Sequence, residues 1–357
     1  MRVKEKIKSF FTPDLLLALF IFLIALHFTS EVPHWFDIAQ SDDNGYMYAG
    51  ILFFDVFNEI QADWSPLYSF LYFLLYKFMP NPTKIYYLGM QWVGILLPFF
   101  SYLFLRRAQI TRWFAAGTAV FLLGSYALWI PEPRVTAFSA FVFIFIAWVA
   151  SFFEKRWQRL WVLAVSSLFF AYSRPEFFLV TLVLSIVALS YFGFSIAKQG
   201  LQLEKKDFLF LGISSSIALA FLLWWGIPFN GSRIMYAFGQ HYAENVHHCI
   251  AENTPPNMAW EEIFARDFNN AKNMTEVIQA NPLNFRRHLF CNVRAFPKLL
   301  LKVAFSSVWG SSWFIIRVWI AFILYKITIH WQEFKKRLLW LWENDFFLLP
   351  ILCLGVL

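Results

Sequence analysis

Leu15-Leu16-Leu17-Ala18-Leu19-Phe20-Ile21-Phe22-Leu23-Ile24-Ala25-Leu26-His27-Phe28 carries no charged side chain, and Arg2, Lys4, Lys6 and Lys8 precede it. A basic start followed by an apolar run is also how a signal peptide begins, but no small-x-small cleavage site follows and further apolar spans come later. The segment is therefore read as an uncleaved first helix, with Thr12 and Pro13 at its N-cap and first turn. Composition extends that reading to the whole chain. Of 357 residues, 59% are hydrophobic and 15% charged, against roughly a quarter charged in a soluble domain. Spans through hydrocarbon must be helical, because lipid offers the backbone no hydrogen-bond partner. The expected fold is all-α: a polytopic membrane bundle of about 8–9 crossings, forming a single module over residues 1–357. The chain stops inside an apolar run that begins near Leu338, so truncation at the carboxy terminus is part of this expectation.

Lys and Arg orient the bundle. None occurs between Lys8 and Lys77, where Glu31, Asp37, Asp42, Asp43, Asp55, Glu59 and Asp63 stand instead. Residues 31–82 then form a non-cytoplasmic loop and the amino terminus is cytoplasmic. This loop is expected to hold juxtamembrane helices near 46–59 and 66–78. Crossings are expected near 84–105, 113–131, 135–153, 160–173, 177–196 and 208–227, with Arg106-Arg107-Arg112, Lys155-Arg156-Arg159 and Lys198-Lys205-Lys206 in the inner loops. A second outer loop, 228–297, holds a surface helix near 259–280, and a crossing near 300–325 follows it. The formal charge of +7 belongs to this alternation and does not point to nucleic acid. Cys249 and Cys291 share the second loop, where a disulfide and two free thiols are both open readings; Cys353 lies in an apolar run. His241, His247 and His248 lack the spacing of a zinc motif and read as loop residues. Arg286, Arg287 and Arg294 suit anionic lipid, a donor phosphate or a basic face resting on headgroups.

Three ionisable clusters fall at the outer ends of helices: Asp42-Asp43, Glu132-Pro133-Arg134 and Arg174-Pro175-Glu176. Ionisable groups near lipid are costly, so each needs a partner or a purpose. A carboxylate can take a proton from a hydroxyl, and Arg holds phosphate through paired hydrogen bonds. Asp42 also suits a helix N-cap, and Glu132 a local pair with Arg134. Arg174 also suits headgroup contact or a pair with Glu176.

Asp42-Asp43-Asn44-Gly45-Tyr46 resembles the Asp-Glu-x-x-Tyr run of the GT-C superfamily of polyprenyl-phosphate-dependent glycosyltransferases, which includes protein O-mannosyltransferases and lipid A aminoarabinose transferases. Trp64-Ser65-Pro66-Leu67-Tyr68 resembles that family's Pro-rich entry to a juxtamembrane helix. Glu132-Pro133 and Arg174-Pro175 stand where its members carry a second acid and a phosphate-facing base. The chain departs from the pattern in lacking Lys before Pro66, with Lys77 and Lys84 as substitutes, and in carrying Glu at 132 where Asp is commoner.

The resemblance implies inverting transfer of a monosaccharide from a polyprenyl phosphate to a lipid, glycan or protein hydroxyl on the outer face of the plasma (inner) membrane. Catalytic roles fall to Asp42, Asp43 and Glu132. Arg174 and Arg134 would bind the donor phosphate, and Tyr46 and Glu176 the substrate. A divalent cation, Mg or Mn, would sit on Asp43 and Glu132 if one is used. The alternatives are a flippase for a lipid-linked intermediate and a catalytically inactive membrane assembly subunit.

Overall fold

The computed structural model describes residues 3–34, 42–55, 64–123, 135–175, 177–199, 203–228, 232–250, 254–255, 257–305 and 335. Thirteen α-helices are described: α1 Val3–Phe28, α2 Asp42–Ile51, α3 Pro66–Phe78, α4 Pro82–Arg107, α5 Arg112–Leu123, α6 Val135–Ala150, α7 Arg156–Ala171, α8 Phe177–Gln199, α9 Lys205–Trp225, α10 Ser232–Asn245, α11 Trp260–Phe268, α12 Met274–Ala280 and α13 Pro282–Phe305. No strand occurs among the described residues. A 3-10 turn follows α1 at Val32–His34, and a π-helical turn, Val246–Ile250, extends α10.

Among the described residues, four segments are long and apolar enough to cross a membrane: Pro13–His34, Pro82–Arg107, Phe177–Ala197 and Lys205–Trp225. Arg112–Leu123 and Val135–Ala150 are apolar but shorter. The expected crossings near 300–325 and beyond 338 lie almost wholly outside the described residues, as does the stretch 124–134.

Several boundaries differ from expectation for local reasons. Helix α1 begins at Val3 and runs through Pro13, so Thr12 does not cap it. Lys4, Glu5, Lys6 and Lys8 are good helix formers, and they extend the helix across the single backbone donor that Pro13 lacks. Helix α2 starts earlier than the expected 46–59 and stops at Ile51, followed by a turn through Asp55. The surface helix near 259–280 is two helices, because Asn269 and Asn270 adopt left-handed backbone (φ 53° and 55°) and the Asn273 side chain accepts from the Glu276 N–H to start α12. Helix α13 begins at Pro282, well before the crossing expected from residue 300.

Polar bonds tie the bundle together at one end. Asp14 of α1 accepts from Arg106 Nε (2.9 Å) and Nη2 (3.0 Å), from Arg112 Nε (2.9 Å) and from the Tyr102 hydroxyl (2.9 Å). These bonds join α1 to α4 and α5. Arg107 donates to the Ser151 carbonyl just past α6. The buried Asp207 carboxylate at the start of α9 takes Lys155 Nζ at 2.7 Å and Gln158 Nε2 at 3.0 Å. A guanidinium or ammonium satisfied by a carboxylate in this way need not seek water.

Residues 232–305 form their own helical cluster around Tyr242, Val246, Ile263, Phe268 and Val277. Cys249 and Cys291 are joined in a disulfide, which ties the π turn to α13.

Candidate functional site at the head of an apolar groove

At the other end of α4, α6 and α7, opposite the Asp14 and Asp207 clusters, four elements converge. The first turn of α2 contains Asp42 and Asp43; their side chains lie outside the described residues. An acidic residue there meets the positive end of the helix dipole. Helix α2 lies close against α3 because Gly50 has no side chain: a β-carbon on it would collide with the Ser69 carbonyl oxygen and come within 2.6 Å of Tyr72 Cβ. Tyr46 is buried and meets Tyr68 edge-on, with ring centroids 5.6 Å apart. Tyr68 and Tyr72 join hydroxyls at 3.0 Å. Tyr46 thus stands in a buried tyrosine layer, one helical turn along α2 from Asp42 and Asp43.

Helix α3 is fastened at its start. Ser65 has left-handed backbone (φ 53°) and is fully buried, and its hydroxyl donates to the Ser173 carbonyl at 2.6 Å. The Leu67 N–H donates to the Tyr172 carbonyl at 3.2 Å. Tyr172 in turn donates to the carbonyls of Phe221 and Gly226, holding the end of α9. The turn between α7 and α8 is therefore a fixed platform, and it carries Arg174.

Arg174 is half-buried, and its Nη1 lies 3.5 Å from Thr136 Oγ1 in the first turn of α6. Just below, α3, α6 and α7 enclose an open groove of about 480 Å³, lined by Leu67, Leu71, Phe138, Phe141, Phe145 and Phe169 among others. Its walls are almost wholly apolar. Phe138 is both a wall and a neighbour of the tyrosine layer, with its ring centroid 5.1 Å from that of Tyr68. From Phe138 to Val149 the groove follows about 16 Å of α6, at 1.5 Å per residue. Thr136, which meets Arg174, precedes the first groove-lining residue of α6, Phe138, by two positions.

Of the expected site residues, Tyr46 packs on Tyr68 of α3 and Arg174 lies against Thr136 of α6, while Asp42 and Asp43 are placed only by the backbone of the first turn of α2. Glu132, Arg134 and Glu176 lie outside the described residues. Arg134 immediately precedes α6, whose Thr136 meets Arg174, and Glu176 follows the Arg174 turn. Lys77 lies over the Phe73 ring, 5.3 Å from its centroid. Among the described residues no group of three or more His, Cys, Asp or Glu could hold a metal ion. The side chains of Asp43 and Glu132 are outside that set. Thr136 and Gly50 were not singled out from sequence, and Ser65 falls in the Trp64–Tyr68 run without any sign there of its bond to Ser173. Their roles depend on contacts between distant segments, and no local pattern marks them.

The 232–305 cluster holds a second set of ionisable groups. Tyr242 donates to Asp267 at 2.6 Å, and Arg266 donates to both oxygens of the same carboxylate. Burial alone would raise the Asp267 pKa, but the bonds from Arg266 and Tyr242 outweigh it and hold the group low. Burial, then the adjacent Asp267 charge, raises the Tyr242 phenol. His241 lies in α10, and His247 and His248 in the π turn that extends it, not in a loop; His248 pairs with Glu244 at 3.2 Å on an exposed face. Among the described residues the buried histidine is His288, which lies 2.8 Å from Asn245 and 3.2 Å from Asn292.

No protein-family model, curated protein or solved structure matches this chain.

Proposed function

We propose that this chain is a membrane glycosyltransferase of GT-C type, acting at the non-cytoplasmic face on a polyprenyl-phosphate sugar. The observation that carries the reading is Arg174 against Thr136, two residues before the apolar groove begins on α6 at Phe138, whose ring meets Tyr68 and, through it, Tyr46 of the helix that begins at Asp42. The groove suits the prenyl chain and Arg174 suits the phosphate.

In this reaction the Asp42 carboxylate takes the proton of the acceptor hydroxyl. The acceptor oxygen bonds to the anomeric carbon from the face opposite the phosphate. The bond from that carbon to the phosphate oxygen breaks, and its electron pair leaves on the phosphate. Arg174 and Arg134 offset the charge that develops there. Asp43, Glu132 and Glu176 orient the acceptor, and Asp43 and Glu132 are the residues to hold a divalent cation if one is used.

The side preference follows from the basic residues. Arg106, Arg107, Lys155 and Arg159 gather at the end of the bundle opposite Arg174, which favours a cytoplasmic placement for that end. The disulfide in the 232–305 cluster favours an oxidising compartment for the other.

The test is transfer of radiolabelled sugar from a series of polyprenyl-phosphate monosaccharides by the reconstituted protein. Wild type should yield labelled product. Asp42→Asn should lose transfer while still binding donor, and Arg174→Gln should weaken donor binding. Full transfer by Asp42→Asn would remove Asp42 from the role of base. Donor binding without transfer by wild type, with movement of the donor across the bilayer, would favour the flippase reading.

A further inference from the structure

The face of α13 turned away from its own cluster has a composition that the proposed transfer does not use. Phe285, His288 and Cys291 point into the 232–305 cluster, and the Cys249–Cys291 disulfide pins that side down. On the opposite side, Leu283, Arg286, Arg287, Phe290, Val293 and Arg294 recur at helical spacing and form one stripe, all exposed. Leu283 is 58% exposed, Phe290 65% and Val293 71%. Arg286, Arg287 and Arg294 make no hydrogen bond or ion pair with any described residue. The sequence of α13 contains no Asp or Glu, and it continues through Lys298 into Leu299-Leu300-Leu301.

Neither water nor an ordinary protein interior suits this stripe. Water leaves Phe290 and Val293 solvated at a cost of about 25 cal/mol per Å² of apolar surface, and a dry interface would strand the guanidiniums. The boundary between headgroups and acyl chains accepts both: rings and branched chains enter the acyl edge while Arg stems reach phosphate. Net positive charge without a balancing carboxylate selects anionic headgroups over zwitterionic ones.

We infer that the Leu283–Arg294 face of α13 is a docking surface for anionic phospholipid, laying the disulfide-bonded 232–305 cluster on the membrane surface. The inference needs a bilayer beside this chain but not the sugar-transfer reading, and its failure would leave that reading standing.

The test uses the full chain in lipid nanodiscs, in a Cys353→Ser background, with Leu283→Cys labelled by an environment-sensitive fluorophore. Nanodiscs contain a phosphatidylcholine and phosphatidylglycerol mixture, with a nitroxide on one headgroup class or the other. Retention of the Cys249–Cys291 disulfide on a non-reducing gel confirms the fold of each variant. The label should emit to the blue of its spectrum in water and be quenched more by nitroxide phosphatidylglycerol than by nitroxide phosphatidylcholine. Each Arg→Gln among Arg286, Arg287 and Arg294 should reduce that preference by up to about fivefold. The triple Arg→Lys variant should retain most of it. Equal quenching by the two lipids would overturn the anionic preference, and a label that stays in water in both would overturn the docking itself.

Discussion

Ser65 donates its hydroxyl proton to the carbonyl of Ser173 at 2.6 Å, and through that bond the start of α3 is fastened to the turn bearing Arg174. Both residues are fully buried. Ser65→Ala removes the donor and leaves the carbonyl oxygen without it, at a cost of about 1–3 kcal/mol. Ser65 also sits at φ 53°, where a β-carbon is strained. Ser65→Gly loses the same hydrogen bond but relieves that strain, so it should be more stable than Ser65→Ala by about 1 kcal/mol. Thermal unfolding in detergent gives the order directly. The reverse order would mean that the left-handed backbone at Ser65 costs a β-carbon nothing here.

Gly50 tests the seat of the acidic segment. A β-carbon there meets backbone and Tyr72 Cβ, neither of which can swing aside. Gly50→Ala should cost about 1–3 kcal/mol as an overpacked contact and should displace α2, with its Asp42 end, from α3. Gly45 lies in the same helix, with nothing within 4 Å of an added β-carbon. Gly45→Ala should stabilise by about 0.5–1 kcal/mol through helix propensity. Opposite signs for the two variants in one unfolding assay are the expected outcome.

The elements legible in the sequence are those whose causes are local. Pro66 and Pro82 open α3 and α4 close to where a proline at the first helical position predicts, and Arg106-Arg107 close α4 as expected. The break between α11 and α12 was missed because Asn269 and Asn270 look like ordinary polar helix residues until their left-handed backbone is seen. The length of α13 was missed because its amphipathic first half and apolar second half read as different elements. At the site, Asp42, Asp43 and Arg174 are conspicuous because charges near apolar segments are rare. The seating of α2 on α3 and of the Arg174 turn on α3 and α6 rests on Gly50, Ser65 and Thr136, whose contacts lie outside their own elements.

Asp14 tests the opposite end of the bundle. Its side chain is 5% exposed, against 16% for Arg106 and 37% for Arg112. Asp14→Ala strands a mostly buried Arg106 and should cost about 3–5 kcal/mol. Arg112→Gln removes a partner more than a third open to solvent and should cost about 1 kcal/mol or less. Unfolding curves for the two variants should therefore separate clearly. Equal losses would mean that Arg112, despite its exposure, carries the bond between α1 and α5.

The Cys249–Cys291 bond closes a separation of 42 residues, and breaking it should cost the 232–305 cluster about 4 kcal/mol by loop-closure entropy. Hydrogen exchange should quicken in α10 and α13 after reduction and stay unchanged in α4. A membrane-impermeant thiol reagent applied to intact cells should label these cysteines after reduction but not before. Labelling that requires the membrane to be opened would place the cluster on the cytoplasmic side and overturn the proposed orientation.

His288 gives the cluster a pH dependence of defined sign. Burial, then the nearby His241, lowers its pKa from 6.5 to about 4. Its hydrogen-bonding neighbours, Asn245 and Asn292, carry no charge that would favour protonation. The unfolded chain takes up this proton at a higher pH than the folded one. Stability from the buried neutral ring is therefore fully present above about pH 6.5 and declines as pH falls toward 4. In that window the contribution should approach about 1.4 kcal/mol per pH unit for the single group. His288→Gln cannot titrate, and it should flatten the profile between those limits while lowering stability at neutral pH. Hydrogen exchange at α13, measured from pH 7 to 4 in both proteins with correction for intrinsic exchange, separates this local effect from titration elsewhere. An identical slope in the variant would assign the acid sensitivity to another group.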